Sequence, residues 1–341
     1  MTSSIIINSI SDSSGIGYTP EQIVRAYDLN NSFTGKNISV AVIDFIGNPY
    51  IERNLIRFSE EFGLKKPTLE IIGNTYNSSF DFSAYIEPTV DSQWVHAVSQ
   101  DALIYIIKAP SYTIEGAISA INTAKEVRSD IVLLSFQANM NQMLLENSSI
   151  FDYDGIFVAS AGDFGAQANF PACVPYCVAV GGTSLDISED GRRLSEETVW
   201  EGTGGGICDY YDIPNYQSRM SGISEITNGR RGVPDVSFLA SPEPGFSVYH
   251  SSSYGSFGWY SVGGTSISAS CVAGILANML SRNINGLNRR NIHEVIYELA
   301  GGNTYKNEYS MFIDIIKGNN GTFSAKQGYD LCTGLGSLYS L

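Results

Sequence analysis

Gly263-Gly264-Thr265-Ser266-Ile267-Ser268-Ala269-Ser270 is the stretch from which the fold of this chain is read. A glycine pair turns the chain, a hydroxyl follows, and an apolar run begins at once. That run, Cys271-Val272-Ala273-Gly274-Ile275-Leu276-Ala277-Asn278-Met279-Leu280, reads as a buried helix ending near Arg282-Asn283. Ser266 therefore falls at or near a helix N-terminus, where free N–H groups and the positive end of the helix dipole favour developing negative charge. Small residues at 269, 270, 273 and 274 let this helix approach its neighbours closely. Taken alone, the octapeptide reads equally well as a turn capping a core helix, since Ser and Thr are ordinary N-caps.

Working outward, strands alternate with helices. Ile38-Ser39-Val40-Ala41-Val42-Ile43-Asp44 is apolar nearly throughout, as a strand covered on both faces should be. Leu103–Ile107, Ile131–Phe136, Gly155–Ser160 and Cys177–Gly182 repeat the pattern. Helices are expected over Thr19–Tyr27, with Thr as cap and Pro20 at the first helical position, and over Tyr50–Phe62, Tyr112–Arg128, Met140–Asn147 and Arg289–Leu299. Thr68–Ile72 reads as a short strand and 73–82 as a polar loop. This alternation predicts an α/β fold with a doubly wound, mostly parallel sheet flanked by helices, in a single domain spanning 1–341. Residues 184–234 read as loops and a hairpin, and the tail as a turn-rich loop.

Composition narrows the function classes. The net charge of −15 argues against a nucleic-acid partner, because phosphates would be repelled. It suits an acidic milieu, where carboxylates lose charge. No run of eighteen apolar residues exists, so no membrane span is expected, and the first residues lack the basic start and long apolar core of a signal peptide. Five cysteines exclude a fully paired disulfide framework; Cys173 and Cys177 are close enough either to bridge or to stay apart as thiols. Asn30, Asn37, Asn77, Asn147 and Asn320 each open an N-x-S/T triplet, a pattern common by chance in a chain rich in Asn and Ser.

A serine hydroxyl needs a base to become a good nucleophile. Only His96, His250 and His293 are available. Glu87-Pro88-Thr89-Val90-Asp91-Ser92-Gln93-Trp94-Val95-His96 predicts a helix with Pro88 in its first turn. Glu87 and Asp91, four apart, share one face, whereas His96 points well away from both and reads as a packed or surface residue. A solvated acidic face also explains a lone E-x3-D. If histidine is absent from the site, carboxylates must move the proton. Burial and a like-charged neighbour raise a carboxyl pKa, so a Glu–Asp pair can share a proton. A third carboxyl, kept neutral, can donate to an oxyanion. Ala161-Gly162-Asp163-Phe164-Gly165, at a strand end, offers one; it reads equally as a turn. Asp44 closes a strand in a place suited to function, or to a turn.

Taken together these segments resemble the sedolisins, the serine-carboxyl peptidases with a subtilisin-like fold. Gly264-Thr265-Ser266 is similar to the family's nucleophile motif, and Ser160-Ala161-Gly162-Asp163-Phe164-Gly165 to its oxyanion segment. Glu87-x3-Asp91, followed by Ala102–Pro110, resembles its base-and-partner helix and next strand. Phe170-Pro171-Ala172, Ala179-Val180-Gly181-Gly182-Thr183-Ser184, Glu197-Thr198-Val199-Trp200, Gly204-Gly205-Gly206 and Pro234-Asp235-Val236-Ser237 occur in the shared order. Asp314-Ile315 and Gly328-Tyr329-Asp330-x2-Thr333-Gly334-Leu335-Gly336 resemble the calcium loop, about 312–336. The resemblance implies that Ser266 attacks the peptide carbonyl, Glu87 takes and returns the proton, and Asp91 hydrogen-bonds and tunes Glu87. It implies that protonated Asp163 stabilises the oxyanion alongside the Ser266 N–H. It also implies one structural calcium ion held by the Asp314 and Asp330 side chains with carbonyls of Ile315, Lys326 and Gly328.

The chain departs from the family pattern at several places. Ser270 stands where proline is usual, Pro88 adjoins Glu87, Gln137 follows Phe136 where Trp-Gly is common, Asp44 replaces a frequent glutamate, and Lys326 replaces a glycine. No prodomain is expected within 1–341. The expected activity is acid-active endopeptidase cleavage of proteins or peptides by a monomer, outside the cell or in an acidic compartment. A tripeptidyl-peptidase, a neutral protease using Asp44 and a histidine, and a silent calcium-stabilised binding module are the other readings.

Overall fold

Ser39 to Asp44 is buried at every position, and it runs inside a large sheet with neighbours on both sides. The structure is a computed structural model that describes the chain except residues 4, 12–15, 30–33, 74–81, 252–256, 289, 302–310 and 341. The first half contains β1 (Thr2–Ser3), β2 (Ile6–Ser11), α1 (Pro20–Ala26), β3 (Ser39–Asp44), α2 (Ile51–Glu61), β4 (Thr68–Ile72), α3 (Phe82–Val98), β5 (Leu103–Lys108) and α4 (Ile114–Glu126). There follow β6 (Ile131–Leu134), β7 (Phe136–Gln137), α5 (Gln142–Glu146), β8 (Ile156–Ser160), β9 (Cys177–Ser184), β10 (Thr198–Val199) and β11 (Gly206–Asp212). Short helices α6 (Asn215–Ser218) and α7 (Ile223–Ile226) lead to β12 (Arg230–Val233), β13 (Val236–Leu239), β14 (Phe246–Ser251) and β15 (Phe257–Gly263). Last come α8 (Thr265–Ser281), α9 (Ile292–Gly301), β16 (Phe312–Ile313) and β17 (Ser337–Leu338).

The main sheet runs β16-β17-β13-β9-β8-β6-β3-β5-β4, with β10 added beside β9. From β17 to β4 every pairing is parallel; β16 and β10 pair antiparallel. The predicted doubly wound α/β fold is thus observed, as one mostly parallel sheet flanked by helices. Helix α8 is buried at every residue from Thr265 to Met279, which explains why it is apolar all round rather than on one stripe.

Several elements differ from expectation. The strand expected over Ile131–Phe136 breaks at Ser135: β6 stays in the sheet, while β7 leaves it and pairs with β1 (Thr2 with Gln137, Ser3 with Phe136). Helix α3 begins at Phe82, so Pro88 is internal to it and not in its first turn. Pro88 brings no N–H to the helix ladder, and tertiary packing overrides that defect. Of the polar loop expected over 73–82, residues 74–81, including Asn77, lie outside the described residues, as does Asn30. Strands β13, β14 and β15 were not anticipated; β14, β15 and β2 form a separate antiparallel sheet.

Several of the ordered segments do structural duty. Arg231 makes two bonds of 2.6 Å to Asp235, both side chains fully buried, and the Tyr297 hydroxyl adds a third at 2.7 Å. Glu197 Oε1 accepts from Tyr27, Thr183 and Ser337. Such pairs exact a large desolvation cost and are held by full hydrogen bonding of both partners. All five cysteines are free and buried, so Cys173 and Cys177 remain thiols.

Candidate active site

Three segments meet around the start of α8. Gly264 caps it with φ of +127°, a conformation that only glycine adopts without strain. The chain arrives from β15 and turns there, so Thr265 and Ser266 become the first helical residues. Their backbone N–H groups have no partner within the helix. The Thr265 N–H is taken by Asp163 Oδ1 at 2.8 Å, and Thr265 Oγ1 lies 2.7 Å from the same oxygen. The Gly162 N–H donates to Thr265 Oγ1 at 2.9 Å, closing the loop after β8 onto the helix start.

Asp163 is buried, and burial pushes its carboxyl up to about 7 despite the two bonds from Thr265, which pull the other way. Its second oxygen, Oδ2, is buried with no protein partner, and the Ser266 hydroxyl is in the same condition. A neutral Asp163 therefore carries its proton on Oδ2, because Oδ1 is already an acceptor of the Thr265 N–H.

Helix α3 packs along α8 and supplies the other two carboxyls. Asp91 is buried, and its Oδ1 accepts from Ser135 Oγ at 2.9 Å and lies 2.7 Å from Ser270 Oγ. Ser270 Oγ is also 2.9 Å from the carbonyl of Ser266, one turn earlier on α8. Having one hydrogen, this hydroxyl serves one of the two acceptors at a time. Burial raises Asp91 to about 7, and the two serine hydroxyls hold it lower than burial alone would. Glu87, one turn earlier on α3, is buried and lines a small niche of about 10 Å³ with Ser135, Phe136, Ala84 and Tyr112. Asp91 is thus linked through Ser270 to the helix of Ser266, and Asp163 through Thr265 to the start of that helix, while Glu87 lies one turn before Asp91 on α3 and shares its niche with Ser135.

None of the three histidines joins this network. His96 Nε2 is 2.8 Å from the Lys65 carbonyl. His250 stands edge-on to the rings of Phe82, Tyr85 and Tyr260, and burial lowers its pKa to about 4. His293 stacks on Tyr216 at 4.4 Å. Asp44 is consumed by its own turn, accepting the N–H groups of Ile46, Gly47 and Asn48. A neutral triad of Asp44 with a histidine therefore has no structural basis.

The tail brings Asp314 and Asp330 to one loop. Gly328 N–H donates to Asp314 Oδ2 at 3.0 Å, and Lys326 N–H to Asp330 Oδ2 at 3.1 Å. Burial raises both carboxyls, Asp330 to about 6. Two partly desolvated carboxylates supply oxygen donors of the kind a hard cation takes. Among the described residues no cluster of three or more acidic, His or Cys side chains suited to a metal occurs, so any ion here relies on main-chain carbonyls as well.

Sequence reasoning missed the roles of Ser135 and Thr265 and treated Ser270 only as a departure. The position of Ser270, four residues after Ser266 and so on the same helix face, was the available signal.

A profile of the subtilase family matches residues 70–329. Kumamolisin from Bacillus sp. (strain MN-32) is 29% identical over 366 residues, covering 94% of this chain and 62% of that protein. Sedolisin from Pseudomonas sp. (strain 101) is 29% identical over 368 residues, covering 94% and 60%. The chain thus spans about three-fifths of the length of these curated relatives. The structure of Pseudomonas sedolisin, a serine-carboxyl proteinase complexed with two molecules of pseudo-iodotyrostatin, superposes with a TM-score of 0.80 at 26% identity, covering 96% of each chain. A lanthipeptide protease, at a TM-score of 0.59 and 12% identity, shares the fold alone.

Proposed function

Because this chain belongs to the sedolisin family of subtilases, we propose that it is an acid-active serine-carboxyl endopeptidase acting on proteins or peptides. Ser266 Oγ attacks the peptide carbonyl. Glu87 accepts its proton and delivers it to the leaving amine, and Asp91 holds and tunes Glu87. The tetrahedral oxyanion is met by the Ser266 N–H and by the Oδ2 proton of neutral Asp163. Water then releases the acyl group by the same steps in reverse.

The observation that carries this reading is the pairing of two buried, unsatisfied atoms, Ser266 Oγ and Asp163 Oδ2, at the start of one helix. A buried polar atom without a partner is costly, and such orphans in a native site call for a ligand. The lack of a histidine near Ser266 and the raised carboxyls agree with chemistry at acid pH.

The chain's own pairings support this reading for an extended peptide. Thr2 and Ser3 pair antiparallel with β7, and within three residues Ile6 pairs with Gly263, just ahead of Gly264-Thr265-Ser266. The chain's own N-terminal strand, paired with β7 and then with β15, follows the path this reading assigns to a substrate strand. One calcium ion, bound by Asp314, Asp330 and the carbonyls of Ile315, Lys326 and Gly328, would neutralise the two tail carboxylates and pin the loop. The expected setting is extracellular or an acidic compartment. No helix among the described residues is long and apolar enough to cross a membrane.

The test is digestion of an unfolded protein, with products read by mass, by the wild type and by Ser266→Ala. Loss of cleavage in the variant supports the reading. A Ser266→Ala protein that still cuts would reject the nucleophile.

A further inference from the structure

Beside β7 lies an opening of about 310 Å³, bordered by Gln137, Asn139, Phe164, Gln167 and Asn169 and, from the N-terminal strand, by Met1 and Thr2. Its polar wall is made of carboxamides joined head to tail. Asn169 Nδ2 donates to Gln137 Oε1 and to Gln167 Oε1, both at 3.0 Å, which uses both of its hydrogens. Gln137 is almost fully buried, and its Nε2 has no protein partner. Asn169 fixes the direction of that amide: with Oε1 held as acceptor, the two N–H groups of Nε2 are the part left to offer.

The wall also touches the reacting corner. A Cβ on Gly162 would stand 2.2 Å from Gln137 Oε1, so the carboxamide rests directly on the residue before Asp163. Only glycine, here at φ of +104°, permits that approach. The direction of the chain sets which part of a substrate comes here. Thr2 and Ser3 pair with β7 before the strand reaches Gly263, so residues paired with β7 precede those at Ser266. A peptide taking this path places the acyl side of its cleaved bond against Gln137.

We infer that this opening is the pocket selecting the residue on the acyl side of the cleaved bond, and that it takes a side chain ending in a carbonyl oxygen, glutamine first and glutamate when neutral, received by the Gln137 amide. This deepens the peptidase reading and rests on it. A buried donor left unpaired discriminates strongly against a side chain that cannot accept from it, whereas an apolar wall separates similar side chains only weakly. The excess negative charge of the chain favours the uncharged forms of such side chains. Asn139 and Gln167 extend the amide surface beyond Gln137 and suit a long side chain over a short one.

The experiment uses one peptide in four versions, with Gln, Glu, Leu or Phe on the acyl side of the single cleaved bond. The quantity read is kcat/KM at about pH 4 for the wild type, Gln137→Gly and Asn169→Leu. The wild type should prefer Gln and Glu over Leu and Phe by about tenfold or more. Gln137→Gly should bring the four within about threefold while still cleaving. Asn169→Leu, which frees the Gln137 amide to turn, should weaken the preference in the same direction and keeps the test open if the glycine variant does not fold. Preference of the wild type for Leu or Phe, or an unchanged preference in both variants, would overturn the inference while leaving the peptidase reading intact. Failure of the wild type to cleave any of the four, or any unfolded protein, at any pH would remove that reading and this one with it.

Discussion

Replacing Ser270 with alanine removes one of two hydroxyls that stabilise ionised Asp91. The deleted group lies 2.7 Å from Asp91 Oδ1, and Ser135 remains at 2.9 Å. Burial has already raised this carboxyl from 3.8 to about 7, so it passes from neutral to charged as pH rises through that value. A hydrogen bond to a charged group is worth ~1.5–3 kcal/mol, and a neutral carboxyl recovers part of that by donating its own proton. The difference between the two forms is therefore about 1.4 kcal/mol, which moves the midpoint up by roughly one pH unit. The sign follows from linkage. A folded carboxyl with a raised pKa binds its proton more tightly than the unfolded chain does. Stability is therefore fully present below about pH 4, falls as pH rises through about 7, and is level above. In the variant the fall continues to about pH 8. Urea unfolding should then show a small loss near pH 5, where Asp91 is neutral in both proteins, and roughly 1.4 kcal/mol more loss near pH 8.5. The comparison is made in calcium-saturated buffer on Ser266→Ala and Ser266→Ala/Ser270→Ala, so that self-digestion does not intrude. A loss equal at both pH values, or larger at pH 5, would refute the placement of Ser270 on the charged form of Asp91.

Further expectations concern the other groups. Asp163→Ala should lower kcat by about 10²–10³-fold, as loss of one oxyanion donor does, and Asp163→Asn should flatten the fall in activity above about pH 7 because its donor no longer titrates; kcat profiles from pH 3 to 9 check both. Asp91 and Asp163 are both raised to about 7 by burial, so the Tm of Ser266→Ala in saturating calcium should climb as pH is lowered from 8 to 5; a Tm that falls over that range would contradict these environments. Chelation should lower Tm and added calcium restore it, with Asp314→Asn blunting both; an unchanged melting curve would remove the proposed ion. Deleting Met1 to Ser3, which pair with β7, should lower KM for peptide substrates several-fold at unchanged kcat, as read from initial rates.

The legible part of the fold was the part governed by continuous burial. Ser39 to Asp44 and the run after Ser266 are apolar on all sides, and each found its place as a central strand and a central helix. What escaped detection was set by tertiary contact. Pro88 signalled a helix start, yet α3 extends from Phe82 because packing against α8 outweighs one missing backbone bond. Strands β14 and β15 carry Ser, His, Tyr and Gly, and the pairing of β15 with β2 at the far end of the chain has no local signature. In the candidate site, Glu87, Asp91, Asp163 and Ser266 were singled out through spacing and ordered motifs. Ser135 was hidden because nothing in the sequence tells that the chain leaves the sheet there, and Thr265 because a threonine at a helix start is ordinarily only a cap. The amide row of Gln137, Gln167 and Asn169 joins residues some thirty positions apart and becomes visible only when the loops after β7 and β8 face one another.

The claim on which the rest depends is that buried carboxyls, with no imidazole, drive the Ser266 hydroxyl onto an amide. The direct measurement is the pH dependence of kcat/KM for one peptide, taken with the wild type, Glu87→Gln and His96→Ala. The account predicts a maximum between about pH 3 and 5, loss of turnover in Glu87→Gln, and a His96→Ala profile that overlays the wild type. A maximum near pH 8, with His96→Ala inactive and Glu87→Gln tolerated, would contradict it.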